Sequence, residues 1–227
     1  MKKIALAFTV LLSATLLAAQ DKAPAKLRVG LYVNAGTSSL VQGMGMNMNM
    51  YGNGYGNMNG TNMMYNYSPA LGGGVSLGFP LSDRWSINGN FGYMNRGAQY
   101  GTTSNNTTNN SRYRLSYIDT WLFGQYNSLP KGAAKFTASF GLTQSILISA
   151  KDETSTSTVN MMDNMNRVDI GMVLGPGMEF AMKNKGAIQV KLLYNYGFMN
   201  VFSGMYYDSG MQSNNAMFLL QIGYIFN

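Results

Sequence analysis

The sequence predicts an all-β protein, an eight-stranded antiparallel up-and-down transmembrane β-barrel with four long outer loops and three short periplasmic turns. Apolar and polar residues alternate with a period of two, and the chain is rich in strand-forming Tyr (15 residues) and in Gly (27 residues). Charged residues make up 11% of the chain, against about 25% in a typical soluble domain. After the N-terminal segment, no apolar stretch reaches the roughly 18 residues of a membrane helix. A closed barrel is then the remaining way to cross a bilayer.

Residues 1–20 are predicted to be a signal peptide. Two lysines precede an apolar stretch that ends at Leu17, and small residues follow it up to Ala19. The stretch is shorter than the roughly 20 residues of a membrane helix, and polar residues begin at Gln20. We therefore expect cleavage near Ala19, export to the bacterial outer membrane, and one barrel domain over residues 21–227.

The strand pattern is clearest at the C-terminus. From Phe218 to Phe226, large apolar side chains fall on one face, whereas Gln221 and Gly223 fall on the other. The same alternation marks the other segments. The predicted strands cover residues 26–38, 70–80, 84–96, 112–127, 133–149, 166–181, 186–202 and 214–226.

The connections between these strands alternate in length. Long polar segments at residues 40–69, 97–111, 151–166 and 203–215 alternate with short turns at residues 79–84, 127–133 and 182–186. Outer-membrane barrels place short turns on the periplasmic side and long loops outside the cell. The loop lengths therefore agree with the strand count and predict which end of the barrel faces outward.

The fourth predicted strand can be placed with either face inward, and Asp119 lies at its centre. If Ile118 and Leu122 face lipid, then Asp119 points inward together with Tyr117 and Trp121. A bulge would instead reconcile the aromatic residues with the outer face. We predict that Asp119 points inward.

Four stretches resemble one known family. They are LRVGLYVNAG, ALGGGVSLGFPLSDRWSINGNFGYMNRG, LSYIDTWLFGQY, and DIGMVLGPGMEF through the terminal IGYIF. These stretches are similar to the PorT-like outer-membrane β-barrel proteins, although Asp119 and Thr120 replace the family's usual Glu-Ile-Pro and Asn227 follows the terminal Phe226. The resemblance implies a small barrel and a link to protein secretion, and it assigns no activity.

Seven charged residues are predicted to point into the barrel. They are Arg28, Arg96, Asp119, Lys135, Asp169, Glu179 and Lys191. Such charges could form a proton or ion path, or they could be paired groups that fill the lumen. We favour the second interpretation, because an eight-stranded barrel is just wide enough for side chains to fill and isolated buried charges are costly.

The first long loop contains alternating methionines, Met44, Met46, Met48 and Met50. Thioethers are soft ligands that select Cu(I), so several of them on one segment could bind such an ion. The competing interpretation is a low-complexity surface loop in which Gly and Asn prevent packing. We favour the second interpretation.

The chain has no His and no Cys. This composition excludes Ser-His-Asp and Cys-His catalysis and most zinc sites. We expect no cofactor and no enzymatic activity. The basic residues are dispersed along the sequence, so we do not expect nucleic-acid binding either.

The sequence favours a surface anchor or interaction protein. We expect it to be a monomer with a closed lumen that contacts outer-membrane lipid and binds protein partners through its outer loops. One alternative is a narrow channel or an accessory component of secretion or transport. Another is a soluble calycin-like barrel that binds an apolar ligand inside, which requires apolar side chains to point inward. The alternation over residues 186–198 instead favours lipid outside the barrel.

Overall fold

A computed structural model describes residues 26–42, 54–58, 61–104, 107–128, 134–183, 186–203 and 213–226. Its strands are β1 (Arg28–Gln42), β2 (Gly54–Met58), β3 (Thr61–Asn66), β4 (Ser68–Pro80), β5 (Trp85–Ser104), β6 (Thr107–Asn127), β7 (Ala134–Glu153), β8 (Thr158–Asn160), β9 (Val168–Ala181), β10 (Ala187–Gly197) and β11 (Ser213–Phe226), with a 3-10 helix at Met162–Asn164. In these ranges, no helix has the length and apolar character needed to cross a bilayer.

Eight of the strands close into a ring. Around the ring they follow the order β1, β4, β5, β6, β7, β9, β10 and β11, and every neighbouring pair is antiparallel. The ring closes where β1 pairs with β11, from Val29 opposite Phe226 to Gln42 opposite Ser213. The short strands β2, β3 and β8 lie outside the ring, with β3 paired to β5 and β8 paired to β7. The predicted eight-stranded barrel is confirmed.

The outer surface of the ring is apolar. Exposed large side chains alternate along the strands, including Val29, Leu31 and Val33 on β1, Leu71, Val75, Leu77 and Phe79 on β4, Phe136, Phe140 and Leu142 on β7, and Phe218, Leu220 and Ile222 on β11. We call this surface the apolar band. On β4 it runs from Leu71 to Phe79, which matches the roughly 9–11 residues that a tilted strand needs to cross a bilayer. The soluble calycin-like alternative is therefore wrong, because it needs the opposite orientation.

The inward faces carry polar, glycine and aromatic residues. Asp119 is buried in β6 together with Tyr117, Trp121 and Phe123. Ile118 in the same strand is on the outer, less buried side. The predicted inward orientation of Asp119 is confirmed.

The two ends of the barrel differ in their connections. The turns from β4 to β5, from β6 to β7 and from β9 to β10 are short and lie at the end where β1 begins and β11 ends. The longer connections lie at the opposite end. Following the arrangement of outer-membrane barrels, we call these the periplasmic end and the extracellular end.

The predicted loop at residues 97–111 was wrong. β5 and β6 continue pairing until Ser104 lies opposite Thr107, so most of this segment is a strand hairpin that extends beyond the apolar band. Above the band a strand needs no apolar face. Thr and Tyr favour extended backbone, so this polar segment keeps the backbone pairing between β5 and β6.

Two further boundaries differ from the prediction. The seventh predicted strand was expected to end at residue 202, but β10 ends at Gly197, and the chain then turns across the extracellular end. The predicted loop at residues 40–69 contains the end of β1 as well as β2 and β3. The methionines Met44 to Met50 lie outside the described residues, so the interpretation of that tract as an unpacked loop stays a prediction.

A β-bulge interrupts the pairing of β6 with β7. Ser116 lies opposite Ser149, but the next pair is Tyr117 with Leu147, so Ile148 is an extra residue in β7. A bulge of one residue reverses which side chains of the following segment face inward. Beyond it, Ala150 is buried and Lys151 is exposed.

Candidate functional site

The lumen contains the charged residues that the sequence placed there, and the structure divides them into two groups. Arg28, Lys135, Glu179 and Lys191 lie near the periplasmic end. Arg96, Asp119 and Asp169 lie closer to the extracellular end. The side chains therefore do not form one continuous network.

Glu179 is the centre of the periplasmic group. Its Oε1 lies 2.7 Å from Nη2 of Arg28 and 2.8 Å from Nζ of Lys135. Arg28 also donates through Nη1 to Oε2 over 3.2 Å, and Gln189 donates to the same oxygen over 2.6 Å. Since Glu179 is on β9 and Arg28 is on β1, this charge-assisted pair crosses the lumen and ties together strands that are not neighbours in the ring.

Lys191 is the remaining cation of the periplasmic group. It is only 2% exposed, and its ammonium lies 4.6 Å from the ring centroid of Phe123. Such a cation–π contact offsets part of the cost of removing the charge from water. Among the described residues, no carboxylate comes within ion-pair distance of Lys191.

Arg96 and Asp119 form the central pair. Arg96 Nη2 and Asp119 Oδ1 lie 3.5 Å apart, and the side chains are 1% and 3% exposed. Trp121 donates its indole N–H to Oδ2 of Asp119 over 3.3 Å, and the Arg96 guanidinium lies 3.8 Å from the ring centroid of Tyr117. The charges come from the adjacent strands β5 and β6, and two aromatic side chains shield them from water.

Asp169 is held by neutral donors. Its Oδ2 accepts a hydrogen bond of 3.0 Å from the Asn215 side chain, and its Oδ1 accepts one of 3.3 Å from the Met199 backbone. Gly197 leaves the space for this carboxylate, since a Cβ at that position would collide with Asp169 Oδ2. The hydrogen bonds fix the chain just after β10, where it turns over the barrel.

A polar cavity in the periplasmic half of the lumen has a volume of about 20 Å³. That volume accommodates about one water molecule. Its lining includes Arg28, Tyr32, Asn90, Gln189, Lys191 and Gln221.

An apolar cluster fills the extracellular end. It combines strand residues with four residues from the connections, Met161, Met165, Val201 and Phe202, and we call these four the mouth residues. Tyr113 packs edge-on against Phe202 at 5.6 Å between ring centroids and stacks on Tyr100 at 4.6 Å. The described residues of this cluster lie above the central ion pair.

Hydrogen bonds join the two connections that supply the mouth residues. Asn166 donates its side-chain amide to the backbone oxygens of Asn200 and Phe202 over 2.8 and 3.2 Å. Its backbone N–H donates to Val201 over 2.9 Å, and Ser203 donates to Asn164 over the same distance. These bonds satisfy backbone groups that cross the barrel, so the two connections are anchored to each other.

Tyr100 and Asp152 meet above the apolar band. The Tyr100 hydroxyl lies 2.8 and 2.7 Å from the two carboxylate oxygens of Asp152. Burial, followed by the hydrogen bond to this carboxylate, raises the pKa of Tyr100 to about 12. Tyr100 therefore remains a hydrogen-bond donor at neutral pH and secures the β5–β6 extension to β7.

The packing of the mouth residues was missed by the sequence reasoning, which placed Met161 and Met165 in a polar outer loop and Val201 and Phe202 at the end of the seventh predicted strand. The available signal was the apolar character of these four residues. These residues have no period-two pattern because their backbone is not a barrel strand. Sequence alternation therefore says nothing about where they pack.

Candidate metal ligands are sparse in the part of the chain that the structure describes. There, no group of three or more Asp, Glu, His or Cys side chains is arranged to hold a metal ion. Met44, Met46, Met48 and Met50 lie outside these residues, so copper binding stays a prediction from the sequence.

Several solved outer-membrane proteins are similar to this chain in structure. Ail, the attachment invasion locus protein of Yersinia pestis, shares 12% identity over 88% of this chain and 99% of its own, with a TM-score of 0.44. Neisserial surface protein A shares 11% identity over 86% of this chain and 95% of its own, with a TM-score of 0.46. OprG from Pseudomonas aeruginosa shares 11% identity over 87% of this chain and 96% of its own, with a TM-score of 0.44. The fold assignment itself rests on the strand pairing described above.

Sequence comparisons give the family. No curated protein matches this chain in sequence. A family model described as "Outer membrane protein beta-barrel domain" matches residues 18–203, which is most of the chain. The match agrees with the apolar band and the closed ring, while the narrower PorT-like resemblance stays a prediction. The chain belongs to the outer membrane protein beta-barrel domain family.

Proposed function

We propose that this protein is a non-enzymatic, monomeric anchor in the outer membrane that presents its extracellular segments to protein partners and does not conduct ions. The observation that carries the proposal is the buried apolar cluster at the extracellular end, which contains the mouth residues together with Tyr113 and Leu115. The buried Arg96–Asp119 pair lies below it and supports the same proposal. The apolar band supplies contact with lipid, and export through a cleaved signal peptide at residues 1–20 is part of the same proposal.

Planar lipid bilayers test whether the lumen is closed. We expect the refolded protein to show no current steps above background, because buried side chains fill both halves of the interior and the periplasmic cavity holds about one water. Steady, reproducible steps from the wild-type protein would contradict the proposal and support the narrow-channel alternative.

Two variants identify which layer closes the lumen. Replacing Val201 and Phe202 with serine weakens the extracellular cluster, and Phe198→Ser is a matched control at an exposed position nearby. We expect the control to remain silent. If the double variant is silent as well, the central Arg96–Asp119 layer is sufficient for closure.

The methionine tract provides a separate prediction. Thioether ligands would bind Cu(I) more tightly as a set of four than singly. Because we favour the unpacked-loop interpretation, we expect the refolded full chain to lose Cu(I) to a competing chelator, whereas retention that depends on Met44, Met46, Met48 and Met50 would support the site. A variant with leucine at all four positions is the control, and equal retention by both proteins would rule out this site.

A further inference from the structure

The outer face of β5, β6 and β7 carries a basic cleft directly above the apolar band. The cleft is open, has a volume of about 250 Å³, and is lined by Tyr93, Asn95, Arg114, Ser116, Ser149 and Lys151. Below it the same strands carry Ile118 and the exposed Ile146. The cleft therefore lies at the level where the hydrocarbon of the outer leaflet gives way to lipid head groups.

The β-bulge creates this cleft. In β7, Leu147 is buried inside the barrel, so a regular strand would also point Lys151 inward and Asp152 outward. The extra residue Ile148 reverses this arrangement, so that Ser149 and Lys151 line the outer surface while Asp152 faces Tyr100. The bulge thus places the Lys151 ammonium on the outer surface and turns the Asp152 carboxylate toward the interior at the same level of the barrel.

Arg114 and Lys151 are directly opposite each other across the β6–β7 pair. Like charges in this relation destabilise a sheet unless an anion lies between them. Glu153 offers partial compensation from above, with its Oε1 at 3.5 Å from Nη1 of Arg114, but both side chains are substantially exposed, at 31% and 52%. Arg112 lies opposite Glu153 in the same strand pair. Three cations, Arg112, Arg114 and Lys151, therefore share this surface with one carboxylate among the residues named here.

Neutral hydrogen-bonding groups complete the cleft. Tyr93 donates its hydroxyl to Ser116 Oγ over 2.9 Å, and Asn95 donates its amide to the same oxygen over 3.3 Å. Ser116 is paired with Ser149 in the neighbouring strand. A floor of hydroxyl and amide groups beneath two cations matches the oxygens of a phosphate, which Arg can bind through two parallel hydrogen bonds.

We propose that this cleft binds a lipid phosphate of the outer leaflet, namely the phosphate of a lipid A head group, with Arg114 and Lys151 as the charged contacts. The acyl chains would then lie against the apolar band below, and the phosphate would separate the two facing cations. Clusters of Lys and Arg next to a membrane surface attract anionic head groups in the same way. The site goes beyond anchoring by hydrophobic contact, because it gives one side of the barrel a preferred lipid.

Native mass spectrometry of the refolded full chain with titrated lipid A tests the proposal. We expect the double variant Arg114→Gln/Lys151→Gln to bind lipid A at least about tenfold more weakly than the wild type, as expected for loss of two charge-assisted contacts. The control, Arg84→Gln/Lys183→Gln, removes the same net charge from exposed positions at the periplasmic end and should bind as the wild type does. Heat-modifiable gel mobility verifies that each variant is folded.

Further measurements separate the phosphate from other sources of affinity. Removing the phosphates from lipid A should weaken its binding to the wild type as much as the double substitution weakens binding of phosphorylated lipid A. The conservative Lys151→Arg variant should still bind phosphorylated lipid A. Inorganic phosphate should compete only at far higher concentration, because it lacks the acyl chains. Equal binding of the two lipids, wild-type affinity in the double variant, or an equal loss in the control would each overturn the assignment.

Discussion

Asp119→Ala is expected to lower the free energy of unfolding by about 3–5 kcal/mol. The substitution leaves the Arg96 guanidinium inside the lumen, 1% exposed, without the carboxylate that lies 3.5 Å away. It also removes the acceptor of the Trp121 indole N–H. The cation–π contact with Tyr117 remains and offsets only part of this cost. Reversible urea unfolding in lipid vesicles, followed by tryptophan fluorescence, measures the change.

A paired replacement separates the value of the ion pair from the cost of breaking it. In the double variant Arg96→Met/Asp119→Leu, neither member of the ion pair is left buried without the other, so we expect most of the lost stability to return. If Asp119→Ala alone lowered the free energy of unfolding by less than about 1 kcal/mol, water or another group would have to reach Arg96. That result would weaken the argument for a closed lumen as well.

The lipid-facing surface was predictable from the sequence because it depends on period-two alternation alone. Phe218, Leu220 and Ile222 were assigned to one face by their spacing, and the structure exposes all three. Asp119 was harder, because Tyr117 and Trp121 share its face and such aromatic residues also suit the outer face of a barrel. It could still be placed inward, since an unpaired carboxylate has no favourable place in lipid.

The partners within the lumen could not be predicted. Arg28 and Glu179 are separated by 151 positions in sequence and lie on strands that are not adjacent, so their contact depends on how the ring closes. The alternation along a strand tells which residues point inward. It gives neither their height in the barrel nor which residue each one meets across the lumen. The same limit explains why the seven charges were expected as one set and are found as two.

The bulge at Ile148 was also beyond the sequence pattern. Nothing in the run of residues from Leu147 to Lys151 distinguishes an extra residue from the end of a strand. Its consequence is large, because it decides that Lys151 lies outside and Asp152 lies inside. A local irregularity of one residue therefore determined the candidate lipid site, whereas the overall barrel followed from repeated, redundant signals.

Leu192→Arg on the outer face of β10 is expected to lower the free energy of unfolding in lipid by about 2–4 kcal/mol. Leu192 is 61% exposed and lies opposite Leu220 of β11, within the apolar band. An arginine there must bring water into the hydrocarbon or bend toward the head groups, and both cost free energy. Urea unfolding in vesicles of a single lipid gives the difference from wild type.

The matched control for this change is Leu81→Arg. Leu81 is 45% exposed but lies in the short periplasmic turn between β4 and β5, where a charge can reach head groups and water. We expect a loss of about 0–1 kcal/mol there, as for positions near the interface. Equal losses at the two positions would mean that stability does not follow membrane depth. A loss confined to Leu192 instead supports the burial of the centre of β10 in hydrocarbon, because the two substitutions exchange the same side chains at exposed positions of different height on the barrel.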